Sequence, residues 1–283
     1  MLQQFFVMSA FSASIFMLVA LGFTLIFGIM RVVNFAHGEF VMLGAYGVYV
    51  AQRLLGVNYV LALCLAAAAT GILGIICERI IFRRFKGNEL GGMIVAIALA
   101  ITLKGAVTAI FGVEGPPLDR PISGVISMAG AVFPKDKLFA TGMALALILA
   151  VYFVLNRSRL GLAMRAVAQD DEIARLQGIT PRLTYPAAFG IGCLLAGFAG
   201  GVVAPIYSIE PYMGESAITK AFVVVVLGGL GSIPGTIAAA ILLGMVDAGV
   251  SLLVDSTAAT LASFALVVAF LVVKPNGLFG HPS

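Results

Sequence analysis

Long apolar runs separated by short polar breaks dominate the chain, and this pattern predicts helices that cross a membrane. About twenty apolar residues suffice for an α-helix to span a bilayer. We expect spans at approximately 5–30, 59–81, 91–111, 138–155, 185–207 and 258–273. Interrupted apolar segments follow residue 39 and cover 221–254. The pattern therefore predicts eight or nine spans, some of them broken or re-entrant, in one transmembrane domain of residues 1–283.

The composition supports the prediction of an all-α integral membrane protein. Hydrophobic residues make up 61% of the chain and charged residues 11%, and the mean hydropathy is +1.11. A nucleic-acid partner is not expected, because no basic face with interleaved aromatic residues is present. We expect membrane lipid to surround the apolar helices.

The positive charges predict which loops face the cytoplasm. Arg and Lys cluster at 79–86 and at 157–182, and cytoplasmic loops carry the excess of positive charge. Two spans separate the clusters, so both can lie on one side of the membrane. Counting the spans from there places the N-terminus outside and the C-terminus inside.

The polar loop 157–182 contains a complete set of helix start and stop signals. Asp170 is a good N-cap, and the two acidic residues after it suit the positive end of a helix dipole. Gly178 is placed for a left-handed C-cap, and Pro181 prevents continuation. The loop therefore predicts a short helix over 170–178 on the cytoplasmic side.

A second polar break, NFAHGEF, follows the first span and places Asn34, His37 and Glu39 close together. Ionisable residues inside a membrane are costly and suggest function, and irregular backbone is tolerated there only beside protein or water. The break is consistent with part of a polar cavity and with a solvated turn at the cytoplasmic end of the first span. The residues alone leave both interpretations open.

The third break, LGGLGSIPG at 227–235, allows two interpretations as well. It is either a broken helix beside a permeation path or a tight turn between two short spans. We favour the broken helix, because a Gly- and Ala-rich helix follows both this break and that at 34–38, which suggests an internal repeat. Asp247 and Lys104 are lone charges in apolar segments and are further candidates.

No catalytic arrangement emerges from the residues. No nucleophile–base pair and no cluster of metal ligands has a recognisable spacing. The sequence therefore predicts neither an enzyme nor a cofactor or metal site.

Four stretches together resemble the LivH-type permeases of branched-chain amino acid ABC importers. The segment EIARLQG at 172–178 resembles the EAA-x3-G signature of importer permeases, with Ile173 in place of the middle alanine. The other stretches are GIMRVVNFAHGEFVMLGAY at 28–46, GLAMRAVAQDDEIARLQGI at 161–179 and LGGLGSIPGTIAAAILLG at 227–244. The resemblance implies a bacterial inner-membrane subunit that pairs with a LivM-like permease, two ABC ATPases and an extracytoplasmic substrate-binding protein.

The resemblance also implies roles for particular residues. The 170–178 helix would dock on an ATPase, with Ala174 and Leu176 available for contact. The predicted coupling residues are Arg165, Asp170, Asp171, Glu172, Ala174, Arg175, Leu176 and Gly178. The predicted translocation-path residues are Asn34, His37, Gly38, Glu39, Gly228, Gly229, Gly231, Ser232, Pro234, Gly235 and Asp247.

Three alternatives to a branched-chain amino acid permease remain at this point. Related permeases serve urea and short amides, and no residue here distinguishes the cargo. An ion-coupled secondary transporter would use Asp247, Lys104 and His37 and would need no ATPase. A structural membrane subunit would tolerate charge substitutions between Asn34 and Glu39.

Overall fold

The computed structural model describes residues 2–115, 117–118, 121–128 and 131–279. Within these residues the chain forms eleven α-helices, one 3-10 helix and a small antiparallel hairpin. The helices are α1 (Leu2–Met30), α2 (His37–Leu55), α3 (Tyr59–Ile80), α4 (Glu89–Phe111), α5 (Lys135–Arg157), α6 (Arg159–Gln169), α7 (Asp171–Leu176), α8 (Pro181–Val203), α9 (Met213–Gly228), α10 (Ile233–Leu253) and α11 (Ser256–Val273). The 3-10 helix is Phe82–Phe85, and the hairpin joins β1 (Val125–Met128) to β2 (Ala131–Pro134).

Seven of the helices in the described ranges are long and apolar enough to cross a membrane, namely α1, α3, α4, α5, α8, α10 and α11. Helices α2 and α9 pack among them and are the interrupted segments of the sequence pattern. The predicted all-α membrane fold is confirmed, and the seven candidate spans together with α2 and α9 agree roughly with the predicted eight or nine. The hairpin, which lies in the Pro- and Gly-rich loop before α5, was not predicted.

Helix α2 begins inside the helix bundle, because the chain turns back after α1. The His37 ring lies 3.1 Å from the carbonyl oxygen of Val19, measured from Nε2. Val19 precedes the end of α1 at Met30 by eleven residues, which is about 16 Å along a helix. Residues 31–36 therefore form a re-entrant connection, and His37 is fully buried.

Helix α9 begins inside the bundle as well, after the connection 204–212. A Cβ atom added at Gly38 would lie 2.2 Å from the carbonyl oxygen of Gly214. Each helix starts with a residue followed by Gly and Glu, as His37–Gly38–Glu39 in α2 and as Met213–Gly214–Glu215 in α9. The two helices thus cross near their first turns, where the backbones touch because neither glycine has a side chain.

These packings show an inverted repeat in which α1, α2 and α3 correspond to α8, α9 and α10. The first helix of each repeat packs on the second and third helices of the other repeat: α1 packs on α9 and α10, and α8 packs on α2 and α3. The two first helices, α1 and α8, contact each other, and so do the two second helices, α2 and α9. The end of α1, at Leu25 and Ile29, packs against the start of α8, at Tyr185 and Ala188. The repeats therefore run in opposite directions. The break at 31–36 thus corresponds to 204–212, and the predicted match to 228–235 is wrong.

The glycine-rich segment 228–235 is a tight turn, so its interpretation as a broken helix is wrong. Helix α9 ends at Gly228 and α10 begins at Ile233 with the Ser232 hydroxyl as its N-cap, accepting from the Gly235 amide at 3.2 Å. A Cβ atom at Gly235 would lie 1.9 Å from the carbonyl oxygen of Gly228. The glycines allow the two helices to meet closely at the turn.

The two positively charged segments meet on one side of the molecule, as the charge pattern predicts. Lys86 donates to the carboxylate of Asp171 at 2.6 Å, and Arg83 donates to the carbonyl oxygen of Arg182 at 3.0 Å. The C-terminal segment lies on the side of the α9–α10 turn, where the Leu278 amide donates to the Leu227 carbonyl at 2.8 Å.

Candidate functional site

Helix α7 has the capping pattern that the sequence predicts. The Asp170 carboxylate accepts from the amides of Glu172 and Ile173 at 2.8 and 2.9 Å. At the other end, Gly178 has φ +79° and its amide donates to Arg175, while the Ile179 amide donates to Ala174 at 3.0 Å. These two bonds form a Schellman motif. A helix of only six residues is thus held at both ends.

The exposed face of α7 differs in part from the prediction. Ala174 is buried against Met164, Val167 and Tyr185, so its predicted availability for a partner is wrong. Leu176 is 86% exposed and Ile173 is 57% exposed. Because an exposed apolar pair on a capped helix suits protein contact, Ile173 and Leu176 form the candidate contact pair.

Asp171 fastens α7 to the rest of the molecule. Besides Lys86, it accepts from Arg175 at 2.8 Å within the same helix. Partial burial disfavours the charged carboxylate, but the hydrogen bond from Lys86 and the positive charges of Lys86 and Arg175 outweigh it, so the pKa of Asp171 lies below its usual value. Because the folded-state pKa is lowered, the stabilisation is present at neutral pH and is lost only as the pH falls through that lower value.

Arg165 lies in the second half of α6, a helix that was not predicted from the sequence, and its side chain reaches back to the end of α5. Its guanidinium donates to the carbonyl oxygen of Leu155 and lies 3.4 Å from the Asn156 amide oxygen, so it satisfies groups at the end of α5. The missed signals for α6 are the N-cap Ser158 and the buried Met164 and Val167 at helical spacing. Whether Arg165 also contacts an ATPase stays a prediction.

We expect the Lys86→Met variant to loosen α7 without unfolding the spans. The Lys86–Asp171 pair is partly exposed, so its loss should act locally and be screened by salt. Hydrogen exchange at the amides of 172–178 should become several-fold faster in low salt, with less effect in high salt. The exposed neighbour Arg84 offers a control as Arg84→Met, and equal exchange in both variants would contradict the role of the pair.

The re-entrant segment 31–36 and the start of α2 hold polar groups deep in the protein. Asn34, His37 and Glu39 are 1%, 0% and 4% exposed, which excludes the solvated turn. Asn34 accepts from the Ala36 amide at 3.1 Å. These residues shape the crossing of α2 with α9, where a Cβ atom at Gly214 would lie 2.8 Å from the Glu39 carboxylate.

A cavity of about 620 Å³ lies between α1, α9, α10 and the connection 204–212. Its apolar wall includes Phe11, Ile15, Phe16, Val19 and Val41. Its polar wall holds Lys220 and Asp247, with hydroxyl groups from Ser12, Ser216 and Ser251. Glu210 is the third charged residue of the lining. Of the predicted path residues, Asp247 lines this cavity, whereas Asn34, His37, Gly38 and Glu39 and the predicted residues of 228–235, Ser232 and Pro234 among them, do not.

The two lone charges of the sequence have partners in the structure. Asp247 accepts from the Ser12 hydroxyl at 2.9 Å and lies 3.6 Å from the Lys220 ammonium. Lys104 forms an ion pair with Glu215 and lies over the Tyr212 ring, 5.3 Å from its centroid. Lys220 was not among the predicted residues. The available signal was a lysine within the apolar run that follows residue 215.

The comparisons with known proteins agree with this architecture. Residues 5–273 match the family described as branched-chain amino acid transport system / permease component. The chain is 32% identical over 284 residues to the high-affinity branched-chain amino acid transport system permease protein BraD of Pseudomonas aeruginosa. This alignment covers 95% of this chain and 92% of BraD.

Two Escherichia coli permease proteins of the high-affinity branched-chain amino acid transport system are also similar. LivH is 31% identical over 289 residues, with 95% of this chain and 92% of LivH covered. LivM is 30% identical over 255 residues, with 81% of this chain and 60% of LivM covered. The LivH-type resemblance is confirmed, and the family is a transport component rather than an enzyme. This chain is a multi-pass inner-membrane protein that belongs to the branched-chain amino acid transport permease family.

Proposed function

We propose that this protein is the permease subunit of an ABC importer that moves branched-chain and other hydrophobic amino acids into the cytoplasm. It pairs with a LivM-like permease, and two separate ATPases bind on the side of α7. An extracytoplasmic binding protein delivers the amino acid from the opposite side. The family membership supports the cargo, and the main structural support is the doubly capped α7 with Ile173 and Leu176 outward.

The packing of α7 suits the transmission of force. Ala174 belongs to one buried cluster with Met164 of α6, and Leu25 and Ile29 at the end of α1 belong to the same cluster. Tyr185 of α8 belongs to the same cluster. Because α6 contacts α7, α1 and α8, a push on α7 reaches the first helix of each repeat through α6. ATP binding can shift a permease only through contacts that differ between its states, and this cluster is where such a difference would enter.

Uptake by the complete transporter in proteoliposomes tests this function. We expect labelled leucine to accumulate when ATP is present on the α7 side and binding protein on the other, and not with a hydrolysis-deficient ATPase. Uptake of labelled urea without leucine would favour the amide permease instead. Leucine uptake that follows an ion gradient and persists without the ATPases would identify a secondary transporter.

A further inference from the structure

The cavity between α1, α9 and α10 carries opposite charges on its polar wall. Lys220 lies on α9 and Asp247 on α10, with the Lys220 ammonium 3.6 Å from the nearer carboxylate oxygen. This distance exceeds the 2.7–3.2 Å that is typical of an N–H···O hydrogen bond. The side chains of Lys220 and Asp247 are 39% and 16% exposed. The pair is thus open to the cavity and is not closed into a tight salt bridge.

Each charge is held in place by a neighbour. The Ser12 hydroxyl donates to the other carboxylate oxygen of Asp247 at 2.9 Å. The Lys220 ammonium lies over the Phe16 ring, 5.1 Å from its centroid. An ammonium has three N–H donors and a carboxylate has several acceptor positions. Both groups are therefore oriented and still have capacity for a ligand.

We propose that this cavity binds the zwitterionic group of an α-amino acid, a role that rests on the proposed import of hydrophobic amino acids. Lys220 binds the carboxylate, Asp247 binds the ammonium, and the aliphatic side chain packs on the wall of Phe11, Ile15 and Val19. Charges inside a membrane protein are costly unless they are paired. A zwitterion leaves neither protein charge unpaired, whereas an amine or a carboxylic acid satisfies only one of them.

The volume and position agree with this ligand. Small-molecule sites are typically about 300–1,000 Å³, mostly apolar, with a few polar groups that fix orientation, and this cavity has about 620 Å³. Asp247 lies fourteen residues after the start of α10 at Ile233, which is about 21 Å from the α9–α10 turn. The cavity is therefore far from the α7 side and near the side where a binding protein delivers its cargo.

Substitution of either charge tests the site in the complete transporter with its binding protein. We expect Lys220→Met and Asp247→Asn each to reduce leucine uptake roughly tenfold to a hundredfold, as the loss of one charge-assisted hydrogen bond implies. Both variant transporters should still assemble. Asp255→Asn is the matched control, because Asn also caps α11 at that position. Wild-type uptake in both cavity variants would overturn the site while leaving the proposed function intact.

The charge exchange Lys220→Asp with Asp247→Lys separates ligand binding from a structural ion pair. A structural pair would be restored by the exchange and uptake would recover, which would overturn the proposal. A site for a zwitterion stays impaired, because the ligand would have to reverse its orientation.

Photo-crosslinking gives a readout that does not depend on uptake. A diazirine analogue of leucine should label peptides of α1 or α9 that line the cavity, and Lys220→Met should abolish this labelling. Equal labelling in both proteins would count against the site. Wild-type transporter that takes up no leucine would instead refute the proposed function itself.

Discussion

The Gly38→Ala variant should unfold at a temperature about 5 °C below that of the wild type. The added methyl group would lie 2.2 Å from the Gly214 carbonyl oxygen and 2.8 Å from Cβ of Ile218. The Gly214 carbonyl belongs to the helix backbone and cannot move aside as the end of a flexible side chain can. Helices α2 and α9 must therefore separate at their crossing. Overpacking of this kind costs roughly 3 kcal/mol of folding free energy. For a chain of this size, that loss lowers the unfolding temperature by several degrees. Thermal unfolding of the purified protein in detergent measures it.

Gly142→Ala is the matched control for this prediction. Gly142 is an exposed residue of α5, and a Cβ atom there meets nothing within 4 Å. Alanine favours a helix over glycine by roughly 1 kcal/mol, so this variant should unfold at the wild-type temperature or slightly above. If Gly38→Ala behaves as Gly142→Ala does, α2 and α9 do not cross as closely as the structure shows.

The sequence reveals features that depend on neighbouring residues. Spans follow from long apolar runs, and the ends of α7 follow from Asp170 and Gly178, because capping uses groups within a few residues. Which residues of α7 are exposed cannot be predicted in the same way, because six residues are too few to show a helical period of apolar and polar positions. The burial of Ala174 depends on α6 and α8, which the local signals of 170–178 cannot report.

Long-range pairings account for the other differences. Gly38 meets Gly214, and Asp247 meets Lys220 across two helices. An isolated charge in an apolar run shows only that some partner is needed. The inverted repeat is likewise hidden, because it is conserved in packing and leaves only the shared Gly–Glu step at 38–39 and 214–215. A break in an apolar run can be either a tight turn or a re-entrant connection, and only the fold distinguishes 228–235 from 31–36.

Gly178→Val should uncouple ATP hydrolysis from uptake while the membrane-spanning helices stay folded. A Cβ atom at Gly178 meets nothing within 4 Å, so crowding is not the cause. The cause is the backbone, because φ is +79° and a β-branched residue there is strained by about 1–2 kcal/mol. Release of this strain breaks the two capping bonds to Arg175 and Ala174, which fix the last turn of this six-residue helix. The exposed pair Ile173 and Leu176 then loses its fixed position on the ATPase.

The measurement compares leucine uptake with binding-protein-stimulated ATP hydrolysis in the same proteoliposomes. We expect uptake per ATP hydrolysed to fall roughly tenfold, as one to two kcal/mol of lost contact implies, with an unchanged unfolding temperature. Gly178→Asn should retain most of the coupling, because Asn adopts the left-handed conformation far more readily than Val. Equal coupling in Gly178→Val and wild type would show that the C-cap of α7 is not needed to transmit the ATPase motion. Equal losses in the Val and Asn variants would point to the absence of a side chain, and not to the backbone conformation, as the property that matters at this position.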